Sequence, residues 1–225
     1  MTQHRQRIVT LDLEGVLVPE IWVAVAERTG IDELRRTTRD EPDYDVLMQQ
    51  RLSILNDHGL TMSMIQDVIS TLSPLDGAKE FLDELRSEVQ VLILSDTFEQ
   101  FAQPLMKQLG WPTIWCHQLI TNADKISDYR LRIDDQKRRA VEALRSLEFT
   151  VVAAGDSYND TTMLGAAHAG FLFRAPQRVQ DEFDFLLLRS TTTYYRTSGR
   201  HLLNSTRKPQ RLLRSSERVT CPGAI

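Results

Sequence analysis

The sequence predicts an α/β fold, in which a doubly wound parallel sheet carries a small helical cap domain inserted after its first strand. Short apolar strands alternate with amphipathic helices from residue 78 to residue 173, and this alternation is typical of a parallel sheet with right-handed crossovers. Three helical patterns within residues 19–73 interrupt the alternation after the first strand. At 225 residues the chain is long enough for one such domain with an insert.

Each element follows from its local pattern. The first strand is short, apolar and rich in branched residues. Helical apolar spacing defines the helices of the cap, and the first two end at Gly30 and Gly59. A turn-rich segment between two short extended arms predicts a hairpin. Strands are predicted at 8–11, 89–95, 113–117, 149–156 and 169–173, the hairpin at 119–133, and helices at 20–30, 44–59, 61–72, 78–88, 99–109, 134–147 and 160–168.

Three regions are predicted from these elements. Residues 1–18 and 74–186 form the α/β core, residues 19–73 form the helical cap, and residues 187–225 form a basic C-terminal tail with weak order. The tail has eight basic residues and one acid, so the rest of the chain carries a net charge of −11. An acidic body argues against nucleic acid as the main partner.

Other sequence features suggest a cytoplasmic protein without a membrane partner. No basic segment followed by an apolar stretch marks a signal peptide, and no apolar run approaches the roughly 20 residues that span a bilayer. Cys116 and Cys221 lie far apart without metal-type spacing, which argues against a disulfide framework. The pattern leaves both a monomer and a homodimer open.

Three predicted strands end in an acidic residue: Asp12, Asp96 and Asp156. The carboxyl ends of parallel strands share one edge of a sheet, where ligands bind. If the three strands are neighbours, their carboxylates converge, repel one another and require a cation. Oxygen ligands of this kind suit Mg²⁺, whose shell a phosphate often completes. For any one of these residues alone, a solvated strand end is the simpler interpretation.

The residues after the first strand suit phosphoryl transfer. Asp12, held between a metal ion and turn amides near Gly15, is placed to attack phosphorus and form an aspartyl-phosphate. Glu14 points into the same crevice, where it can protonate the leaving oxygen and then activate water. Asp12 and Glu14 are therefore candidate catalytic residues, and the third candidate, Lys137, lies in a predicted helix later in the chain.

Two further segments are predicted to bind anions and metal. Ser95–Thr97 is expected to open a helix, where a hydroxyl and free amides bind phosphate. In "GDSYND", residues 155–160, Asp156 is a candidate metal ligand and Asp160 a second carboxylate. A helix N-cap at Asn159 or Asp160 is the structural alternative, and the two interpretations are compatible.

Lys137 is the candidate cation for the phosphoryl group. It lies in the first turn of a predicted helix, where a positive charge opposes the helix macrodipole, so its presence calls for a reason. Phosphoryl transfer relies on positioned positive charge. A solvated lysine in the "KRR" run of residues 137–139 is the alternative, and position alone does not decide between them.

These motifs resemble the four motifs of the haloacid dehalogenase-like superfamily. The first is "DLEGV", the second "SDT", the third Lys137 and the fourth "GDSYND". Over roughly residues 7–186 the chain resembles the phosphoserine phosphatase family, and within it the bifunctional phosphoserine phosphatase/homoserine phosphotransferase branch. The stretches that carry this resemblance are "LDLEGVLVPE", "TTRDEPDYDVLMQQRL", "ILSDTF", "QPLMKQLG" and "AAGDSYNDTTML".

The resemblance implies a role for each site residue. Mg²⁺ would be held by Asp12, Asp156 and the backbone carbonyl of Glu14, with Asp12 as nucleophile and Glu14 as general acid and base. On the cap side, Glu20 and Arg51 would bind the amino and carboxyl groups of O-phosphoserine. From pattern alone, Glu20 is an ordinary helix-start acid and Arg51 an exposed helical charge. The residues implied around the phosphate are Ser95, Asp96 and Lys137, with Asn159 and Asp160 behind them.

The chain departs from the family pattern at three places. The superfamily usually has aspartate two residues after the nucleophile, whereas this chain has Glu14, which is shared with the phosphotransferase-like branch. Gln136 stands where the similar proteins carry proline, directly before Lys137. The C-terminal tail matches nothing in the family pattern.

The predicted function is a Mg²⁺-dependent phosphoserine phosphatase of serine biosynthesis that acts through an aspartyl-phosphate. Transfer of the phosphoryl group to homoserine is a further activity that the resemblance suggests. Two alternatives remain at this stage: a phosphatase of another small phosphate ester, and a non-catalytic phosphate-binding protein.

Overall fold

The computed structural model describes residues 5–38, 40–41 and 43–188. Strands and helices alternate through most of this range, as the sequence predicts. Short 3₁₀ helices span Asp32–Arg35 and Tyr158–Asp160. In chain order the other elements are β1 (Arg7–Leu11), α1 (Ile21–Thr29), α2 (Tyr44–Asp57), α3 (Met62–Ser70), α4 (Ala78–Glu88), β2 (Gln90–Phe98), α5 (Glu99–Gln108), β3 (Ile114–Asn122), β4 (Lys125–Arg130), α6 (Gln136–Ser146), β5 (Thr150–Gly155), α7 (Thr161–Ala166), β6 (Ala169–Phe173), α8 (Gln177–Glu182) and β7 (Leu186–Leu188).

A seven-stranded sheet forms the centre of the fold. Its strand order is β4-β3-β2-β1-β5-β6-β7, and every neighbouring pair is parallel except the β3–β4 hairpin. The predicted fold class is therefore confirmed. Because β1 lies between β2 and β5, the three strands that were predicted to end in acids are neighbours.

Helices cover both faces of the sheet because side chains alternate along each strand. Val9 and Leu11 of β1 belong to one apolar cluster, which includes buried residues of α4 and α5. Ile8 of β1 belongs to a second cluster, which includes residues of α6, α7 and α8. Strands buried on both faces explain the continuous apolar runs of the sequence.

The region predicted as the helical cap, residues 19–73, contains α1, α2, α3 and the 3₁₀ helix at Asp32–Arg35. It contacts the core through the β3–β4 hairpin, because Asp124 at the turn accepts hydrogen bonds from the first residues of α3. The Met62 amide donates to the Asp124 carbonyl at 2.8 Å, and the Ser63 amide donates to the Asp124 carboxylate at 2.9 Å. Nearer the sheet edge, the Tyr44 hydroxyl donates to the Asp96 carbonyl at 2.9 Å.

The structure differs from the sequence prediction in several elements. β2 runs to Phe98 rather than ending at Ser95, because its pairing with β3 resumes after a register shift between Leu94 and Phe98. α8 and β7 were not predicted, since six- and three-residue elements are too short to show a clear periodicity. The predicted tail boundary at residue 187 falls within β7, and residues 189–225 lie outside the described residues.

Two smaller expectations concern the membrane and the cysteines. Within residues 5–38, 40–41 and 43–188, each helix is too short or too polar to cross a membrane. Cys116 is buried as a free thiol, and Cys221 lies outside the described residues.

Candidate active site

Three buried carboxylates meet at the carboxyl ends of β1 and β5. The Asp12 amide donates to the Ala154 carbonyl at 3.0 Å, which extends the pairing of these strands by one residue. Asp12, Asp156 and Asp160 each offer an oxygen atom, and these atoms lie within 4.8 Å of one another. The predicted convergence of Asp12 and Asp156 is therefore present.

Lys137 lies against this cluster. Its Nζ donates to Oδ1 of Asp12 and to Oδ1 of Asp160, each at 2.8 Å, and lies 3.5 Å from Oδ2 of Asp96. The residue is only 2% exposed, so the alternative that it is a solvated lysine is wrong. The position in the first turn of α6 is explained by these three carboxylates, which outweigh the unfavourable macrodipole.

The charges of the cluster do not balance. Burial and the nearby Asp160 raise the pKa of Asp12 well above its usual value, although Lys137 acts in the opposite direction. The neighbouring carboxylates hold the pKa of Lys137 above its usual value against the effect of its burial. Lys137 thus has three carboxylates around its ammonium group, those of Asp12, Asp96 and Asp160, and Asp156 adds a fourth carboxylate beside Asp12 and Asp160. An all-oxygen donor set with excess negative charge fits a hard divalent cation such as Mg²⁺.

Gly15 allows the close approach of Asp156. Its φ is +77°, and a Cβ atom at this position would lie 2.4 Å from Oδ2 and 2.6 Å from Cγ of Asp156. The backbone of the turn after β1 therefore lies directly against the carboxylate of Asp156, which is predicted to bind metal. Only glycine combines the left-handed conformation with this approach.

Replacing Gly15 with alanine is expected to displace Asp156 and to weaken binding of a divalent ion about 10-fold or more. Titration of Mg²⁺ against activity and against melting temperature measures this change. Gly30→Ala is the matched control, because Gly30 has a φ of +73° but a Cβ atom there would meet nothing within 4 Å. Equal effects of the two substitutions would show that backbone strain, and not contact with Asp156, is responsible.

Asp160 connects the loop after β5 to Lys137. Its Oδ2 accepts the amides of Asp156 at 2.9 Å and Ser157 at 3.1 Å, while its Oδ1 accepts Lys137. Asp160 is the N-cap residue of α7 by position, but its carboxylate contacts the preceding loop instead of the α7 amides. It therefore orients both the predicted metal ligand and the predicted phosphate-binding cation.

The Glu14 side chain is hydrogen-bonded to the start of α1. Its Oε2 accepts the backbone amide of Ile21, the first residue of α1, at 2.8 Å. Burial, followed by the charge of Glu20, raises the pKa of Glu14 to about 7, although the Ile21 amide and Arg51 lower it. A carboxyl group with this pKa exists in both protonation states near neutral pH, as a group that alternates between acid and base requires.

The Ser95–Thr97 segment departs from prediction in its backbone. These residues continue β2, and α5 begins at Glu99, so the expectation that Ser95 opens a helix is wrong. The Ser95 hydroxyl accepts the Thr97 amide at 3.3 Å. The Asp96 carboxylate accepts a hydrogen bond from Asn159 Nδ2 at 3.0 Å. Both side chains remain predicted substrate-binding groups.

Arg51, a residue of α2, lines a cavity together with Asp12 and Glu14. It is 6% exposed, so the alternative of an exposed helical charge is wrong. Its Nη2 donates to the Arg36 carbonyl at 2.8 Å, and its guanidinium lies 4.5 Å from the ring centroid of Trp22. Burial lowers the pKa of Arg51 to about 10. Its Nε has no hydrogen-bond partner within the described part of the chain.

One cavity brings the cap and core residues together. It contains predicted residues from the segment between β1 and α1, from α2, from β2 and from the loop after β5, together with groups that the sequence did not predict. Trp22, Thr37, Thr38 and Tyr44 were missed, because no local pattern marks them as facing a ligand. The lining residues are Asp12, Glu14, Glu20, Trp22, Thr37, Thr38, Tyr44, Arg51, Asp96, Thr97, Asp156, Ser157 and Asn159.

A family model for haloacid dehalogenase-like hydrolases matches residues 6–168. The chain belongs to this family. The match includes the predicted nucleophile, the lysine of α6 and the loop after β5, so the four-motif resemblance is confirmed. Phosphoserine phosphatases are the relatives found within the family, which confirms the narrower resemblance as well.

Two relatives from Pseudomonas cover most of the chain. Phosphoserine phosphatase ThrH of Pseudomonas aeruginosa is 63% identical over 177 residues, which are 78% of this chain and 86% of the relative. A phosphoserine phosphatase of Pseudomonas syringae pv. tomato is 64% identical over 177 residues, covering 78% of this chain and 75% of the relative.

Solved structures agree with the fold. A phospho-aspartyl intermediate analogue of phosphoserine phosphatase superposes with a TM-score of 0.72 at 20% identity, covering 86% of this chain and 99% of the other. A substrate-bound phosphoserine phosphatase complex gives a TM-score of 0.73 at 20% identity, covering 86% and 99%. At this identity the structures establish the fold of the haloacid dehalogenase-like core.

Proposed function

We propose that this protein is a Mg²⁺-dependent phosphoserine phosphatase that acts through a phosphorylated Asp12. The observation that carries the proposal is the buried cluster in which Asp12, Asp156 and Asp160 bring oxygens within 4.8 Å while Lys137 contacts Asp12 at 2.8 Å. The Pseudomonas relatives at 63% and 64% identity support phosphoserine as the substrate.

Asp12 attacks the phosphorus atom of the substrate. Lys137 donates a hydrogen bond to Oδ1 of Asp12, and this bond orients the carboxylate. The other oxygen of Asp12, Oδ2, is not used by this bond. Asp12, Asp156 and the carbonyl of Glu14 would hold Mg²⁺, which supplies positive charge that favours attack on an anionic phosphate. The ammonium of Lys137 adds a fixed positive charge next to Asp12.

Glu14 serves both halves of the reaction. In its protonated form it donates a proton to the leaving serine oxygen, and as a carboxylate it then accepts a proton from the incoming water. A pKa of about 7 makes both forms accessible. The hydrogen bond from the Ile21 amide keeps the side chain directed into the cavity shared by cap and core.

Glu20 and Arg51 suit the two charges of an amino acid. Both line the cavity that contains Asp12. A carboxylate binds an ammonium group, and a guanidinium binds a carboxylate through directed hydrogen bonds. The buried Nε of Arg51, which has no partner in the described residues, has one hydrogen bond left to donate. This pair favours phosphoserine over a phosphate ester that lacks a zwitterionic head group.

Arg51→Ala is expected to lower kcat/KM for phosphoserine about 100-fold, because the loss of a charged hydrogen-bonding group costs about 1.5–3 kcal/mol or more. Hydrolysis of p-nitrophenyl phosphate should change much less, since this ester has no carboxylate for Arg51 to bind. Steady-state kinetics with both esters measure the difference. Similar losses on the two substrates would contradict the assigned role of Arg51.

Homoserine is the proposed alternative acceptor. It carries the same ammonium and carboxylate groups as serine, so Glu20 and Arg51 can bind it after serine has left. Its hydroxyl then takes the place of water in the attack on phosphorylated Asp12. Glu14 would accept the proton of that hydroxyl, as it does for water.

One assay separates these proposals. The protein is incubated with phosphoserine and Mg²⁺, with and without homoserine, and serine, phosphate and phosphohomoserine are quantified; EDTA serves as the metal control. Release of serine and free phosphate without homoserine, abolished by EDTA, supports the phosphatase, and phosphohomoserine supports transfer. Activity on another ester but not on phosphoserine would favour a different small phosphate ester, while no turnover of any ester would favour a non-catalytic phosphate-binding protein.

A further inference from the structure

The carboxylate of Asp96 is held from several sides. Its Oδ2 accepts Asn159 Nδ2 at 3.0 Å and lies 3.5 Å from Lys137 Nζ. Its Oδ1 accepts Gln136 Nε2 at 3.2 Å and lies 3.6 Å from His117 Nε2. The four groups belong to the loop after β5, α6 and β3, so Asp96 joins separate parts of the core.

Gln136 is placed to fix this carboxylate. It is 2% exposed and is the first residue of α6, directly before Lys137. Its Nε2 also donates to the Ser95 carbonyl at 2.5 Å, and its Oε1 accepts Arg132 Nε at 3.1 Å. The carboxamide nitrogen therefore donates hydrogen bonds while the carboxamide oxygen accepts one. Because exchanging the two atoms would break these bonds, the buried amide has a single orientation.

His117 supports the same arrangement. Its Nδ1 accepts the Arg132 amide at 3.1 Å, so the neutral ring carries its proton on Nε2, the atom that faces Asp96. The bridge from Gln136 to Ser95 ties the first residue of α6 to β2. These contacts set the distance between the start of α6 and the end of the strand that provides Asp96.

The position of Asp96 determines the surroundings of Lys137. The ammonium group has three N–H donors. Two of them bind Asp12 and Asp160 at 2.8 Å, and Asp96 is the third carboxylate nearby, at 3.5 Å. If the Asp96 carboxylate moved, its attraction for the Lys137 ammonium group would change. The contact between Lys137 and Asp12 would then change as well.

We propose that Gln136 is a positioning residue, which holds the Asp96 carboxylate and, through it, keeps the Lys137 ammonium group on Asp12. The inference rests on the proposed function, because it assigns a catalytic consequence to this placement.

Gln136→Met tests the proposal, because methionine has a similar length but cannot make these hydrogen bonds. We expect kcat for phosphoserine to fall about 10-fold or more, as a small misplacement of a catalytic group can cause. KM should change less than kcat, because the hydrogen bonds described for Gln136 do not involve Glu20 or Arg51, the groups proposed to bind the amino acid. Arg132→Leu removes the hydrogen bond to the carboxamide oxygen together with the contact of the guanidinium with the Trp115 ring, at an exposed position, and a smaller fall in kcat is expected.

Gln100→Met is the matched control. Gln100 also uses both ends of its carboxamide, donating to the Leu119 carbonyl at 2.8 Å and accepting the Leu119 amide at 3.0 Å. It should lose stability without losing kcat in the folded fraction. An unchanged kcat in Gln136→Met, or an equal loss in Gln100→Met, would overturn the proposal.

Crystal structures of the wild type and of Gln136→Met provide a test that does not depend on turnover. The proposal predicts that the Asp96 carboxylate rotates and that the Lys137–Asp12 distance lengthens in the variant. Unmoved Asp96 and Lys137 would overturn it even if the wild type is an active phosphatase. An inactive wild type with the predicted movement would instead contradict the proposed function and leave the positioning role supported.

Discussion

Asp12→Asn is expected to abolish turnover of phosphoserine, with a loss of about 10³-fold or more, because an amide cannot accept the phosphoryl group as a carboxylate does. The substitution keeps the size of the side chain. It also removes the negative charge of one of the three buried carboxylates that lie within 4.8 Å of one another, those of Asp12, Asp156 and Asp160. We therefore expect the metal-free variant to fold and to unfold at no lower temperature than the wild type.

Steady-state assays and thermal unfolding on the same preparation test this expectation. Asp67→Asn is the control, because Asp67 is an exposed residue of α3 remote from the cluster. It should retain wild-type activity. An Asp12→Asn protein with more than a few per cent of wild-type turnover, after exclusion of deamidation by mass spectrometry, would remove Asp12 from the role of nucleophile.

Lys137→Met is expected to have the second large effect, on both stability and activity. Lys137 donates to Asp12 and Asp160 at 2.8 Å, and both carboxylates are buried. Removing the cation leaves them unpaired, which costs about 3–5 kcal/mol for a buried ion pair. Phosphoryl transfer loses a positioned positive charge as well, for which we expect at least about 100-fold lower kcat.

Urea unfolding in EDTA and in Mg²⁺ measures the stability change. Added Mg²⁺ should restore part of the lost stability, because a divalent ion at the same carboxylates offsets their repulsion. Arg139→Met is the control, since Arg139 belongs to the same basic run but is exposed. If Lys137→Met and Arg139→Met lose the same small amount of stability, the buried ammonium does not hold the cluster together.

The convergence of Asp12, Asp96 and Asp156 could be predicted because it follows from the order of the strands. Parallel strands expose their carboxyl ends at one edge, so acids that end neighbouring strands must be close. The sequence predicted the strands and the acids that follow them, whereas their being neighbours was only a condition of the prediction, which the strand order β2-β1-β5 of the structure meets. The burial of Lys137 could not be predicted in the same way, because position in a helix does not say which surface packs against the next helix or strand.

The predicted roles of Glu20 and Arg51 in the cap came only from the resemblance to the phosphoserine phosphatase family. Glu20 and Arg51 lie 31 residues apart in the sequence and contact the cavity because the cap helices fold over the strand ends. No periodicity in α1 or α2 specifies that orientation. Hydrogen bonds across the boundary, such as the one from Tyr44 to the Asp96 carbonyl, determine it in the structure.

The contacts of His117 and Gln136 with Asp96 could not be predicted from the sequence either, for a different reason. His117 lies in a strand that was predicted from its apolar neighbours, and Gln136 was noted only as a departure from the proline of similar proteins. Their contacts with Asp96 join residues separated by about 20 and 40 positions. Such contacts depend on the packing of α6 against the sheet, which local sequence patterns do not encode.

The most direct test of the account is to identify the residue that accepts the phosphoryl group. The protein is mixed with phosphoserine and Mg²⁺, quenched in acid within milliseconds, digested and analysed by mass spectrometry. The account predicts phosphate on the peptide that contains Asp12, its loss on treatment with hydroxylamine, and its absence in Asp12→Asn. Phosphate on another residue, or the same labelling in Asp12→Asn, would contradict it.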